Sequence, residues 1–208
     1  MKVLVFGATG RAGLSVLKFA LADCHEVTAF VRTPANLGLK HERLRIVEGD
    51  VYQPETIKAA MLQGFDAVVG AIGGDVFKPS KLVTDGVQAI VLAMEQAGIP
   101  RYVGISGTAF LPHGILGAIT LALLRMSPVG NAVRDHEGAY RIVTGFSLNW
   151  TLAACPYIKD GQHKGVYQLS PGWFPGGFKT ISPQDVADFL VKELKSQRYS
   201  KQIVGIWY

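Results

Sequence analysis

Apolar residues in this chain come in short unbroken runs rather than in strict alternation. The runs fall at residues 2–6, 26–31, 44–48, 67–71, 102–106, 149–153 and 202–206, several of them dense in Val, Ile and Leu. Runs without a period of two suit strands covered on both faces. Between them lie stretches whose apolar positions recur at helical spacing, at 11–22, 54–62, 84–97, 131–144 and 183–194. Pro54 and Pro183 stand at first-turn positions, where a missing N–H costs nothing, and Gly98 and Gly145 follow the last turns as C-caps. Strand and helix alternate with short connections, which predicts an α/β fold: a single-domain, Rossmann-like, doubly wound and mainly parallel sheet with helices on both faces. At 208 residues the chain is long enough for one such core.

Two stretches break the alternation. Residues 107–128 and 157–178 follow the fifth and sixth strands and so lie at the carboxyl edge of the sheet, where open α/β folds bind ligands. Both are expected to wall a substrate pocket. The second carries Tyr157, Tyr167, Trp173, Phe174 and Phe178, which suit a flat acceptor. Residues 170–177 are so rich in Gly and Pro that a mobile loop over the pocket is the expectation. Residues 115–124 are apolar apart from Gly117 and Thr120 but fall well short of the ~20 that a membrane span needs, so they read as a helix over a pocket or a partner surface.

The first run leads straight into Gly7-Ala8-Thr9-Gly10-Arg11-Ala12-Gly13 and then into a helix. A strand, a G-x-x-G-x-x-G turn and a helix form a dinucleotide-binding arrangement. Gly7 and Gly10 let the backbone turn and approach a pyrophosphate, Gly13 lets the helix pack, and the free N–H groups at the helix start face the phosphates. NAD-binding chains usually end the second strand in a carboxylate that takes the ribose hydroxyls, whereas this one ends in Arg32. A guanidinium pairs with a 2′-phosphate, so the expected cofactor is NADP(H), with Arg11 as a second positive contact. Asp50 can accept from the adenine amino group and Val51 can cover its ring. Ala71, Ile72 and Gly73 end the fourth strand, where the chain must pass beside the pyrophosphate and the nicotinamide ribose.

Composition narrows the function further. The formal net charge of +5 is scattered and not interleaved with aromatics, so a nucleic-acid surface is not expected, while a mildly basic cleft suits an anionic ligand. Two cysteines, Cys24 and Cys155, make neither a disulfide framework nor a metal motif, and the five histidines show no ligand spacing, so no metal is expected. The apolar run that stops at Gly7 is no secretory signal, and the expected location is the cytoplasm. Tyr140 is followed four residues later by Thr144 instead of the lysine that lowers a tyrosine pKa in ordinary short-chain dehydrogenases, which makes Tyr140 a packing residue or hydroxyl donor first. His113 and His136 are possible proton donors, though a lone histidine is more often satisfied locally. Chemistry then falls to the nicotinamide, with the protein supplying position and electrostatics.

Further motifs point the same way: Val31-Arg32, Gly49-Asp50-Val51, Asp85-Gly86, Ser106-Gly107-Thr108-Ala109-Phe110-Leu111, Pro156-Tyr157-Ile158 and residues 181–187. Together with the glycine turn, they make the chain resemble the atypical short-chain dehydrogenase/reductase family, in its NAD(P)H-binding, NmrA-like branch, and most of all the biliverdin and flavin reductases of that branch. The resemblance implies an NADPH site and hydride transfer to a flavin-, quinone- or tetrapyrrole-like planar acceptor or a small carbonyl compound. By the same resemblance Ser106, Thr108 and Tyr157 are the candidate catalytic residues, and Ser106, Pro156, Tyr157 and Ile158 line the nicotinamide end. Those reductases have serine where this chain has Thr108 and histidine where it has Tyr157. A monomer or homodimer with a small-molecule acceptor is expected. Two other readings stand beside it: a non-enzymatic NADP(H)-binding sensor of the NmrA-like kind, and an isomerase or cyclase on the same fold.

Overall fold

Both faces of nearly every central strand are buried, which is why their sequences do not alternate. Along β1 (Lys2–Phe6), Leu4 and Phe6 join one apolar cluster and Val3 and Val5 the other. A computed structural model of the chain describes residues 1–112 and 114–208; His113, one of the two candidate donors, lies outside the described residues. The remaining strands are β2 (Glu26–Val31), β3 (Leu44–Glu48), β4 (Ala67–Gly70), β5 (Arg101–Gly107), β6 (Asn149–Cys155), β7 (Tyr157–Ile158), β8 (Gln168–Pro171), β9 (Thr180–Ile181) and β10 (Gln202–Trp207). The helices are α1 (Arg11–Ala22), α2 (Pro54–Met61), α3 (Leu82–Ala97), α4 (Ile115–Met126), α5 (Gly130–Thr144) and α6 (Pro183–Ser196).

The main sheet runs β3-β2-β1-β4-β5-β6-β10-β8, parallel throughout except for β8, which lies antiparallel on β10. Residues from α2, α3 and α5 cover one face and those from α1 and α6 the other. The single-domain, doubly wound Rossmann-like fold expected from the pattern is therefore present. The chain moves outward from β1 to β3 and returns to β4 on the other side of β1, so a crevice opens above the carboxyl ends of β1 and β4. Packing at that crevice depends on glycine. Gly7 has φ +73°, and a side chain on it would run into the Ala71 carbonyl at the end of β4.

Several boundaries shift by one or two residues, as helix and strand ends commonly do. The larger difference concerns the first part of 170–177, where residues 170–174 are bonded into the sheet and core instead of forming a free loop. Ser170 and Pro171 belong to β8, Gly172 N–H donates to the Ile203 carbonyl at 2.8 Å, and Phe174 is 4% exposed. The Phe174 ring meets Trp207 edge-on at 5.4 Å, so apolar burial overrides the Gly and Pro signal, and proline is tolerated because β8 is an edge strand. Residues 115–124 are helical, as expected, within α4. Among the described residues, no helix is long and apolar enough to cross a membrane.

Candidate functional site

The crevice is built first by backbone. Gly10 is the N-cap of α1 in an extended conformation, with no side chain capping the helix and no acid in its first turn. Gly10 N–H donates to the Gly7 carbonyl at 3.0 Å, and the first helical bond runs from Leu14 N–H to the Gly10 carbonyl at 2.8 Å. The N–H groups of Arg11, Ala12 and Gly13 are the ones a helix start leaves without internal acceptors. The three glycines divide the work: Gly7 backs onto β4, a side chain on Gly13 would strike the Gly7 carbonyl, and Gly10 faces outward. Gly7 and Gly13 are thus required by packing within the protein, while Gly10 lies on the exposed side of the turn.

At the tip of β2 a cleft of about 260 Å3 is lined by Thr9, Arg32, Thr33 and Asn36. The exposed Arg32 makes no hydrogen bond or ion pair with any described residue. Thr33 is the N-cap of a single 3-10 turn, Pro34–Asn36, yet its hydroxyl makes no capping bond. Sequence reasoning missed Thr33 and Asn36. The signal for them was Thr-Pro directly after a strand, which starts a helical turn and folds the next polar residue back towards the strand tip.

Other cofactor candidates are placed with more constraint. Arg11 forms an ion pair with Asp160 at 2.8 Å, so its charge is already shared on an exposed surface. The segment carrying Asp160 is pinned behind the pair, because the Asp185 carboxylate accepts from the N–H groups of Lys164 and Gly165 and from the Ser182 and Tyr208 hydroxyls. Burial pushes the Asp185 pKa up, but the Tyr208, Ser182, Gly165 and Lys164 hydrogen bonds outweigh it and hold the carboxyl below its ordinary value. One oxygen of Asp50 accepts Tyr52 N–H at 3.0 Å. Val51 and Ile72 meet over Gly86 at the start of α3, and Ala71 is buried beneath Gly7, whereas Gly73 is open.

Above the ends of β5 and β6 lie the candidate catalytic groups. Ser106 is 4% exposed and its hydroxyl bonds no described group. The Thr108 carbonyl accepts Leu111 N–H at 3.0 Å, leaving its hydroxyl without a described partner. Pro156 and Ile158 are half-buried, and Tyr157, paired with Thr180 across β7 and β9, is 69% exposed. Of the other aromatics in this wall, Trp173 and Phe178 are exposed, Phe174 belongs to the core, and the Tyr167 hydroxyl donates to Asp188 at 2.8 Å. Tyr140 is a packing residue: it stacks on Phe110 with centroids 5.0 Å apart and meets Trp150 edge-on at 6.2 Å. Burial pushes the Cys155 thiol well above its ordinary range, away from any nucleophilic role. Among the described residues, no three His, Cys, Asp or Glu side chains gather where they could hold a metal ion.

Strand order, the glycine turn and a helix start with no side-chain cap together define a nucleotide-binding Rossmann-type protein. The chain belongs to the NAD(P)H-binding family, whose model matches residues 7–197. It is 32% identical over 177 residues to the protein YwnB of Bacillus subtilis (strain 168), an alignment covering 81% of this chain and 78% of YwnB. Among solved structures it is similar to SP1627 of Streptococcus pneumoniae TIGR4, provisionally assigned as an NADH-flavin reductase, with TM-score 0.79, 26% identity and coverage of 100% and 99% of the two chains. The fold is also that of ChuY, the anaerobillin reductase of Escherichia coli O157:H7, at TM-score 0.78 and 19% identity, covering 99% of this chain and 96% of ChuY. An anaerobillin reductase and a provisionally assigned flavin reductase thus share this chain's fold.

Proposed function

We propose that this protein is an NADPH-dependent reductase that passes a hydride to a planar flavin-, quinone- or tetrapyrrole-like acceptor or to a small carbonyl compound. The observation that carries the cofactor half is Arg32, an unpaired guanidinium in a cleft whose other walls are the donors Thr9, Thr33 and Asn36. A 2′-phosphate supplies the charge this cleft lacks, and charge-assisted bonds to it are worth roughly 1.5–3 kcal/mol each. The N–H groups at the start of α1 suit the pyrophosphate, and Asp50 and Val51 the adenine. When bound, the dinucleotide supplies the hydride. The protein's share is to hold the nicotinamide against Ala71, Ile72 and Gly73, to offer the Ser106 and Thr108 hydroxyls to the carboxamide or the acceptor oxygen, and to present Tyr157 to a flat ring. Segments 107–128 and 157–178 wall the acceptor in this reading, with exposed Trp173 and Phe178 as the apolar surface.

The test is NADPH oxidation by the purified protein with FMN, FAD, a quinone and a linear tetrapyrrole. Turnover with at least one acceptor, faster with NADPH than with NADH, is the expected result. Tight NADPH binding without turnover on the whole panel overturns the reductase and favours a nucleotide sensor, a reading that the packed Tyr140 without a following lysine also fits.

A further inference from the structure

His136 sits on α5 where that helix meets Gly107 at the carboxyl end of β5. A side chain on Gly107, the last residue of β5, would lie 3.8 and 3.9 Å from His136 Cβ and Cγ. Gly107 separates Ser106 from Thr108, so His136 packs against the residue between the two that carry the candidate hydroxyls. Its Nδ1 is buried without a hydrogen-bond partner, and the residue as a whole is partly buried. A buried ring nitrogen with no partner is costly to keep, and such a cost persists where a ligand supplies the partner.

The helix cannot easily rotate the ring away. Its neighbour Asp135 accepts N–H bonds from Val83 and Thr84 at 3.0 and 2.8 Å, and the Thr84 hydroxyl returns a bond to the Asp135 carbonyl at 2.7 Å. One turn on, Gly138 lies so close to Thr84 that a side chain there would collide with it. The register of α5 against α3 is therefore fixed, and His136 is fixed with it. The charged group acting on it is Asp135, and across the contact with β5 it faces Gly107, which lies between the uncharged Ser106 and Thr108. Burial draws the His136 pKa below the ordinary value against the opposing pull of Asp135, which makes its protonated form a stronger acid than free imidazolium.

We propose that His136 is the proton donor of this site. The step rests on the reductase reading and balances with it. The hydride brings two electrons and one hydrogen to the acceptor, the protonated imidazole gives one proton from a ring N–H to the acceptor atom that has become negative, and the neutral ring regains its proton from water. NADPH, acceptor and one proton thus become NADP+ and the reduced acceptor. Tyr140, the position a short-chain dehydrogenase would use, is packed between Phe110 and Trp150 and leaves this task to another group.

Two readouts test the assignment. The first follows imidazole signals by NMR in the wild-type protein, with His136→Gln identifying which of the five histidines is which. Addition of NADP+ shifts the His136 signal and moves its titration, while a signal that ignores saturating NADP+ and an acceptor analogue overturns the proposal. The second measures turnover in His136→Gln and His136→Asn, with the circular dichroism spectrum and Tm establishing that each is folded. A fall in kcat of roughly 100-fold or more, with NADPH affinity within about threefold of wild type, is expected. Unchanged kcat in a folded variant overturns the proton donor and leaves the reductase standing. A wild-type protein with no turnover on any acceptor overturns both.

Discussion

At the scale of single residues, one charge decides most. Arg32 follows a strand that buries five of its six residues, so its position at the strand tip was legible from the sequence, and so was the sign of the charge. Thr33 and Asn36 were not, because their approach depends on a single 3-10 turn too short to leave a periodic signature. His136 was visible only as a lone histidine. What singles it out, a ring nitrogen buried beside Gly107, arises from two elements far apart in the chain. Replacing Arg32 by Glu should weaken NADPH by roughly 10–100-fold, since it removes a charge-assisted pair and sets a carboxylate against the phosphate. NADH, which lacks that phosphate, should change by no more than about threefold. Fluorescence titration of the variant with both nucleotides checks this, and equal losses for the two would remove Arg32 from the cofactor site.

At the scale of elements, the seven long parallel strands and the five helices first read from the pattern declare themselves because both faces of the sheet are buried and every helix keeps one apolar side. What stayed hidden was short or long-range. β7 and β9 are two residues each and exist only as each other's partner. β8 ends in proline and holds because Phe174 buries itself against Trp207. The cap of α3 comes from Asp135, 52 residues away from Val83, a partnership that no local window contains. The glycine turn makes a sharper prediction at this scale. Gly13→Ala would push a methyl group into the Gly7 carbonyl, so α1 must shift from the turn it starts. Overpacking of this kind costs roughly 1–3 kcal/mol. Tm should fall by roughly 2–12 °C, given about 2–4 °C per kcal/mol in a chain of this size, and NADPH affinity should fall with it. Calorimetric melting with and without nucleotide measures both, and a variant with wild-type Tm and affinity would show that the close approach at Gly13 does no work.

At the scale of the whole molecule, strand order places the ends of β1, β2, β4, β5 and β6 along one edge, so that the cleft at Arg32, the start of α1, Ser106 and Tyr157 come to lie along a single line. No local motif fixes that line. It follows from the reversal of order between β1 and β4 and from right-handed crossovers, which the alternation of strands and helices implies. The acceptor is less legible than the cofactor, because the walls proposed for it are the two segments that depart from the alternation, and one of them is partly edge strand and core. On the proposed function, this edge takes a dinucleotide bearing a 2′-phosphate. Isothermal titration of the purified protein with NADPH and with NADH tests it most directly. NADPH is predicted to bind with a stoichiometry of about one and at least about tenfold more tightly than NADH, the ratio that one charge-assisted phosphate contact provides. Absence of heat for both nucleotides, or tighter binding of NADH, would contradict the account.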